Sequence, residues 1–322
     1  WKVSFIILAV AIALLTTTSL TIGMEILRDL KVKENQITKL IDEVGEIKKN
    51  REPIQMQTSR EVPEEIPVKP AIAPVKNDNQ EVYLIVGHHS RLTDTIIVGI
   101  IDHAAKKITL LSIPRDFATN GRKINEYYEF FGIKKLAEEV TKITNLTIDK
   151  YVLVDMKSFK RFIDDIGGID IIVEKDLIDY NYPTEKKGYQ TFSIKKGKHR
   201  MNGDMALKYA RSRKSTSDFD RSIRQQELLK SVRANLNANK NIIKLLETTY
   251  LNVQDNVETN ISYLDALLTW SKISNYDIRT SHVLTTSDLL YSTYNKAGQY
   301  ILLPKAKDYS DIQKKVTEWL AE

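Results

Sequence analysis

The stretch DTIIVGIIDHAAKKITLLSIPR, residues 94–115, decides the fold of the globular part of this chain. Two runs rich in isoleucine and leucine, Thr95–Ile101 and Ile108–Ile113, flank a short polar segment. This pattern is typical of two strands joined as a β-hairpin. If Ile101 pairs with Ile108, the register of the whole hairpin follows, because side chains alternate strictly along a strand.

The same register brings two ionisable residues together. With Ile101 opposite Ile108, Asp94 lies opposite Arg115. Pro114 ends the second strand, so Arg115 lies just past its carboxyl end, where α/β sheets commonly carry ligand sites. We therefore expect a carboxylate and a guanidinium side by side at a candidate site.

Outward from the hairpin, strand and helix patterns are mixed. A strand at Val82–Val86 precedes it, and strands at Tyr151–Val154 and Ile169–Val173 flank a helix at Met156–Ile166. Further helices are predicted at 126–141, 202–210, 221–246 and 264–270, with a late strand at 278–284. Because hairpin and crossover connections both occur, residues 81–322 are predicted to form a three-layer α/β/α domain with a mixed central sheet.

Three other segments precede this domain. The run from Val3 to Ile22 carries no charge and is long enough to span a bilayer, so residues 1–24 are interpreted as a retained transmembrane anchor rather than a cleaved signal peptide. In residues 25–50, apolar side chains between 26 and 47 follow a heptad pattern, which predicts either a coiled-coil homodimer or a solitary stalk helix. Residues 51–80 hold five of the eight prolines and are predicted to be an extended spacer.

An arginine-rich segment, residues 211–226, breaks the pattern of the helix that follows it. That helix carries an apolar stripe from Leu228 to Leu236. Projected backwards at about 100° per residue, Arg221, Arg224 and Gln225 fall on or beside this stripe. Guanidiniums therefore occupy positions where leucine is expected, and such violations usually mark a functional site.

Only two acids accompany these arginines, Asp218 and Asp220, and Asp220 is the expected N-cap of the helix. A surface helix end with local salt bridges is the alternative interpretation. Arginines that face a core, however, need a polyanion or several carboxylates to offset their desolvation. We interpret the segment as an anion site.

Six motifs follow one another in order along the chain. They are Arg91–Thr95, Ser112–Asp116, Lys123–Asn125, Ile166–Ile169, Leu207–Arg213 and Asp218–Gln226. This series resembles the LytR-CpsA-Psr family of cell-wall glycopolymer ligases. The resemblance extends from about Val82 to Leu236, with a weaker tail to about Pro304. It implies a single-pass membrane protein whose catalytic domain lies on the extracytoplasmic face.

The resemblance implies phosphoryl transfer. Family members take a glycopolymer from a polyprenyl-pyrophosphate carrier and join it to a peptidoglycan sugar hydroxyl through a phosphodiester. Carried over by position, the resemblance implies a phosphate clamp made of Arg91, Arg115, Arg211, Arg213 and Arg221. It implies Arg224, Gln225 and Asp220 as further substrate-binding residues beside the clamp. Arginine suits such a clamp because its planar fork binds phosphate oxygens bidentately.

A divalent metal is also implied, magnesium with manganese as the alternative, and Asp94 and His89 are the predicted ligands. The family pattern after the first strand is Gly-x-Asp, whereas this chain has Gly87-His88-His89. Magnesium prefers hard oxygen ligands, so a histidine should weaken the site. Imidazoles instead suit manganese or zinc. Two other interpretations stay open, namely a histidine that hydrogen-bonds phosphate and an exposed pair without a role.

The composition excludes several classes of function. The 322 residues include no cysteine, which excludes a cysteine nucleophile and thiolate metal sites. A net charge of +6 without any nucleic-acid motif gives no reason to expect a nucleic-acid partner. Two alternative functions remain, a scaffold that binds the carrier lipid without transfer and a polyprenyl-pyrophosphate hydrolase. Asp94 and Asp220 both remain candidates for a general base.

Overall fold

The computed structural model describes residues 77–90, 92–184, 188–213, 217–239, 245, 247–248 and 256–322. The predicted anchor (1–24), the predicted coiled coil or stalk (25–50), the spacer up to residue 76 and Arg91 lie outside these residues. Within the described ranges, no helix is long and apolar enough to cross a membrane.

Strands and helices are mixed along the described chain. The strands are β1 (Gln80–His89), β2 (Leu92–Asp102), β3 (Lys107–Ser112), β4 (Ala118–Thr119), β5 (Arg122–Lys123), β6 (Lys150–Asp155), β7 (Ile169–Val173), β8 (Leu177–Pro183), β9 (Tyr189–Ile194), β10 (Gly197–Met201), β11 (Val257–Thr259), β12 (Asp277–Val283), β13 (Leu290–Tyr294) and β14 (Tyr300–Pro304). The α-helices are α1 (Tyr127–Thr144), α2 (Met156–Asp165), α3 (Gly203–Arg211), α4 (Asp218–Ala238), α5 (Tyr263–Ile273) and α6 (Ser310–Ala321).

A six-stranded mixed sheet forms the centre, in the order β11-β6-β1-β2-β3-β12. Strand β1 pairs with β6 in parallel and with β2 antiparallel, and β3 pairs with β12 in parallel. The β2–β3 hairpin has the predicted register, with Ile101 opposite Ile108 and Ile97 opposite Ser112. The predicted mixed sheet is therefore confirmed.

Helices cover both faces of this sheet, and apolar side chains of β2 pack against both layers. Ile96, Val98 and Ile100 pack into a core that also holds buried residues of α1 and α6. Ile97 and Ile101 point the other way, into a cluster that includes residues of α4 and α5. Every second residue of a strand faces the same side, so one strand serves both layers.

A second core lies beside the sheet and supports the site. It joins the strand pairs β7–β10 and β8–β9 to α2, α3 and α4 through buried residues such as Ile163, Tyr182, Met201 and Leu228. The β8–β9 and β13–β14 hairpins and helix α6 were absent from the sequence-based prediction. The first of these hairpins matters most, because β8 borders the cavity described below.

Helices α4 and α1 differ from expectation. Helix α4 ends at Ala238 rather than near residue 246, because Asn239 adopts an extended backbone. Ser217, not Asp220, is the N-cap of α4; its hydroxyl accepts a hydrogen bond from the backbone amide of Asp220, whose carboxylate accepts from the backbone amide of Ser217. Asp220 is thus the acidic partner of a capping box. Helix α1 starts after a short 3-10 turn and is interrupted at Gly132, which adopts φ 78°. A left-handed φ of this kind suits glycine and explains the break.

Candidate functional site

An irregularity of the sheet positions Asp94. Gly87 pairs with Thr95 and His88 with Thr93, which leaves Asp94 as the extra residue of a β-bulge. Bulges turn a side chain away from the regular alternation of the strand. The Asp94 carboxylate accepts a hydrogen bond from Nη1 of Arg115 at 2.5 Å, so the pair expected from the hairpin register is present.

These two residues line a cavity of about 660 Å³. Its walls come from β1, β2, β8, the loop after β3, the end of α3 with the residues after it, and the start of α4. The lining residues are His89, Leu92, Asp94, Arg115, Asp179, Asn181, Pro183, Arg211, Arg213, Asp218, Arg221 and Gln225. Four arginines thus face three aspartates in one cavity. A smaller cavity of about 400 Å³ beside Arg200 contains none of the predicted site residues.

The arginine-rich segment forms its own charge network at the start of α4. Arg213 donates two hydrogen bonds to Asp218, from Nε at 2.9 Å and from Nη2 at 3.1 Å. Arg221 donates from Nη1 to the same carboxylate at 2.9 Å. Arg211 lies farther from an acid, with Nη2 4.0 Å from Asp94 Oδ2. One carboxylate therefore serves two guanidiniums, which leaves donor capacity for another anion.

The surroundings of Arg221 disfavour the charged form of its side chain. Burial lowers its pKa to about 10, and the cations of Arg213 and Arg115 act in the same direction, whereas Asp218 opposes them. Its side chain is 5% exposed. The Nε atoms of Arg115 and Arg221 are both buried without a hydrogen-bond partner in the described part of the chain. A buried cation without full compensation is costly, so the site favours an added anion.

The pKa values of Asp218 and Arg115 shift in the direction that favours their charged forms. Burial alone would raise the pKa of Asp218, but Arg221 and Arg213 outweigh it and hold the pKa below its usual range. Burial likewise would lower the pKa of Arg115, but Asp94 and Asp116 raise it above its usual value. Asp218 therefore remains a carboxylate and Arg115 a guanidinium at neutral pH.

The predicted site residues do not all come together. His89, Asp94 and Gln225 line the cavity with the four arginines. Arg224 does not; it donates from Nε to the Tyr209 carbonyl at 3.1 Å and from Nη2 to the Ser212 carbonyl. Asp220 is used in the capping box of α4 and also lies outside the lining.

Three residues of β8 belong to the cavity although the sequence analysis did not single them out. Asp179, Asn181 and Pro183 line it, and Asp179 is 2% exposed. The alternation in the sequence points the other way, since Ile178, Tyr180 and Tyr182 form the apolar set and predict that Asp179 faces solvent. The pairing of β8 with β9 shifts between Asp179 and Tyr182, and Asp179 is buried instead.

Comparison with known proteins decides the family. The LytR_cpsA_psr family matches residues 37–318. The chain belongs to the LytR-CpsA-Psr family. It is 33% identical over 252 residues to the polyisoprenyl-teichoic acid–peptidoglycan teichoic acid transferase TagV of Bacillus subtilis (strain 168), covering 74% of this chain and 62% of TagV.

Other comparisons show similarity in sequence or in fold. The regulatory protein MsrR of Staphylococcus aureus (strain Mu50 / ATCC 700699) is 32% identical over 202 residues, 58% of each protein. The crystal structure of B. subtilis TagV superposes with a TM-score of 0.62 at 28% identity and covers 76% of this chain and 99% of that chain. The structure of TagT bound to LIIa-WTA superposes with a TM-score of 0.63 at 20% identity. The match covers 78% of this chain and 96% of that chain and shows a shared fold. The chain spans about six tenths of the first curated relatives it matches.

Proposed function

We propose that this protein transfers a glycopolymer from a polyprenyl-pyrophosphate carrier to a sugar hydroxyl of peptidoglycan. The observation that carries the proposal is the convergence of Arg115, Arg211, Arg213 and Arg221 on one cavity with only three aspartates. Several bidentate donors at one place match a pyrophosphate better than a single carboxylate ligand. The similarity to a teichoic acid transferase supports the same conclusion and favours a teichoic acid as the polymer.

The reaction needs no protein nucleophile. The acceptor hydroxyl oxygen attacks the phosphorus that carries the glycopolymer, the bond to the bridging oxygen of the pyrophosphate breaks, and polyprenyl phosphate leaves. The hydroxyl proton passes to a base, for which Asp94 is the candidate that lines the cavity. In-line phosphoryl transfer depends on positioning and on neutralising charge, both of which arginines supply.

A divalent metal is part of the proposal, but the residues fit it only in part. Among the described residues no group of three or more His, Cys, Asp or Glu side chains could hold an ion. Asp94 and His89 line the same cavity, so they can contribute one carboxylate oxygen and one imidazole nitrogen. Magnesium commonly combines one or two carboxylates with substrate phosphates and water. When bound, magnesium or manganese would neutralise phosphate charge next to the arginines.

The setting of the reaction is proposed from the N-terminal sequence. The uncharged run from Val3 to Ile22 and the five prolines in residues 51–80 suit an anchored domain held away from the membrane on the extracytoplasmic face. Both substrates of the proposed reaction are found there.

The test uses the full chain with a synthetic polyprenyl-pyrophosphate glycopolymer and purified peptidoglycan, and follows release of polyprenyl phosphate and formation of a phosphodiester together. The proposal requires both products in equal amounts. Release without linkage would identify a hydrolase, and binding without release would identify a scaffold. Arg213→Ala should reduce both products at least about tenfold, because it removes charged hydrogen bonds to the substrate.

A matched control separates the cavity from general loss of charge. Arg200 pairs with Asp170 at 3.3 Å and lies at the smaller cavity, with its side chain 52% exposed. Arg200→Ala should leave both products unchanged. An equal loss in Arg200→Ala and Arg213→Ala would contradict a localised phosphate clamp.

A further inference from the structure

We propose that Asp179 is a positioning residue that holds Arg213 in place through the backbone. The inference rests on the proposed function, since that function gives Arg213 an anionic substrate to bind. It concerns β8, a strand that presents Asp179, Asn181 and Pro183 to the cavity.

The contacts of Asp179 differ from those of the other aspartates in the cavity. Asp94 accepts from the guanidinium of Arg115, and Asp218 accepts from Arg213 and Arg221. Asp179 instead accepts from two backbone amides, that of Arg213 at 2.9 Å and that of Asn181 at 3.1 Å. One oxygen serves each amide, so both are occupied in fixed directions.

The bond from Arg213 to Asp179 joins residues 34 positions apart in the chain. It connects β8 to the end of α3 and the residues just after it, which carry Arg211 and Arg213 into the cavity. The same segment is held on its other side by Arg224, which donates to the carbonyls of Tyr209 and Ser212. The backbone that carries the two arginines is therefore held by hydrogen bonds to two elements, β8 and α4.

A second contact between β8 and this segment supports the inference. The guanidinium carbon of Arg211 lies 5.9 Å from the centre of the Tyr182 ring, within cation–π range. Tyr182 is 4% exposed and packs against Phe192 of β9 at 6.0 Å between ring centres. The β8–β9 hairpin thus contacts Arg211 through a side chain and Arg213 through its backbone.

Burial makes the Asp179 contact consequential. A carboxylate that is 2% exposed cannot exchange its two amide partners for water. Asparagine has the same shape but presents an NH₂ group at one of the two oxygen positions, so one amide meets a donor instead of an acceptor. In either orientation of the asparagine amide a single acceptor oxygen must serve two N–H groups, so the link to Arg213 weakens. A displacement of about 1 Å at a reacting centre can cost on the order of a hundredfold in rate.

The experiment is a double-mutant cycle of Asp179→Asn and Arg213→Ala in the full chain, with inorganic pyrophosphate as the probe and calorimetry as the readout. Each single variant is expected to weaken pyrophosphate at least about fivefold. If Asp179 acts through Arg213, the double variant loses little more than Arg213→Ala alone. Multiplicative losses, or an unchanged affinity in Asp179→Asn, overturn the proposal.

A matched control comes from the base of the same hairpin. Asp176 also accepts from a backbone amide, that of Lys196 at 2.8 Å, and from Lys195 Nζ at 2.9 Å, but it does not line the cavity. Asp176→Asn should bind pyrophosphate as the wild type does. If Asp179→Asn does not fold, the same cycle is run with Asp179→Ser, which keeps one small acceptor and carries the same expectation.

The cycle also separates this inference from the proposed function. A wild-type chain that binds pyrophosphate but releases no polyprenyl phosphate refutes the transfer reaction, and non-multiplicative losses would still support the role of Asp179. A chain that performs transfer, in which Asp179→Asn binds pyrophosphate normally, refutes only the role of Asp179.

Discussion

Asp94 lies between two arginines: its Oδ1 accepts from Arg115 Nη1 at 2.5 Å and its Oδ2 is 4.0 Å from Arg211 Nη2. The predicted metal ligand is therefore already an ion-pair partner. A metal ion must share this carboxylate with two guanidiniums, which repel the ion. Ligands from the substrate phosphates then become decisive, so metal and pyrophosphate should bind cooperatively.

His89→Asp should strengthen magnesium binding in the presence of inorganic pyrophosphate by about tenfold, because it adds a carboxylate to a site with few oxygen ligands. Isothermal calorimetry with magnesium measures this directly. His88→Asp is the control, because His88 does not line the cavity; its ring lies 5.4 Å from that of Tyr128. Equal magnesium affinity in wild type and His89→Asp would exclude a role for position 89 in metal binding.

We expect the ionised carboxylate of Glu81 to stabilise the fold and this stabilisation to be lost in acid. Burial would raise its pKa, but hydrogen bonds from Tyr83, Lys150 and His103 lower it from 4.5 to about 2. The unfolded chain therefore binds more protons between these two values. The stabilisation is present above pH 4.5 and is lost as the pH falls towards 2.

Urea unfolding of wild type and Glu81→Gln across this range measures the effect. The difference in unfolding free energy between the two proteins should be largest near neutral pH and should shrink in acid. Lys150→Met removes one of the groups that lower the pKa, so its pH dependence should be shallower than that of the wild type. A difference that stays constant with pH would refute the Glu81 assignment.

Much of the central sheet could be predicted because its signals are local. The β2–β3 register followed from one pairing, Ile101 with Ile108, and it led correctly to the contact between Asp94 and Arg115. The β-bulge at Asp94 could not be predicted, since it depends on how Gly87 and His88 pair with the neighbouring strand.

For the arginine segment, helical periodicity predicted which side chains are buried but not which partners they bind. Helical projection correctly placed Arg221, Arg224 and Gln225 on a buried face. It could not separate the side chains that reach the cavity from those that reach a backbone carbonyl, because both lie on the same side of α4. Nor could it find Asp179, whose bond with the Arg213 amide joins residues 34 positions apart.

Gly203→Ala should destabilise the fold by about 1–3 kcal/mol, the usual cost of overpacking. A Cβ at this position would lie 2.1 Å from the carbonyl oxygen of Lys160, so α2 and α3 would have to move apart. Thermal unfolding of the two proteins measures the loss. Gly99→Ala is the control, because its Cβ would meet neighbours only at 3.8 Å or beyond. A Gly203→Ala protein as stable as Gly99→Ala would contradict the close approach of the two helices.

Arg221 and Arg224 give the sharpest test of the site, since both are buried in one helix and differ in their partners. Arg221 is 4% exposed and faces the cavity, and Arg224 is 7% exposed and donates to the Tyr209 and Ser212 carbonyls. Arg221→Met should weaken inorganic pyrophosphate at least about tenfold. It should leave the melting temperature unchanged or slightly higher, because Arg213 and Arg115 repel the Arg221 guanidinium in the cavity and its buried Nε has no partner among the described residues. Burial lowers the pKa of Arg224 as well, but no arginine adds to that effect.

Arg224→Met should behave in the opposite way. It removes charged hydrogen bonds worth roughly 1.5–3 kcal/mol each and leaves buried carbonyls without their donor. Each kcal/mol of lost stability lowers the melting temperature by about 2–4 °C in a domain of this size. Pyrophosphate affinity should fall less than in Arg221→Met, because Arg224 reaches the substrate only through the backbone that carries Arg213.

Melting temperature and affinity are measured together on both variants. If Arg221→Met melts well below the wild type and binds pyrophosphate normally, Arg221 is a structural residue and the cavity is not a phosphate clamp.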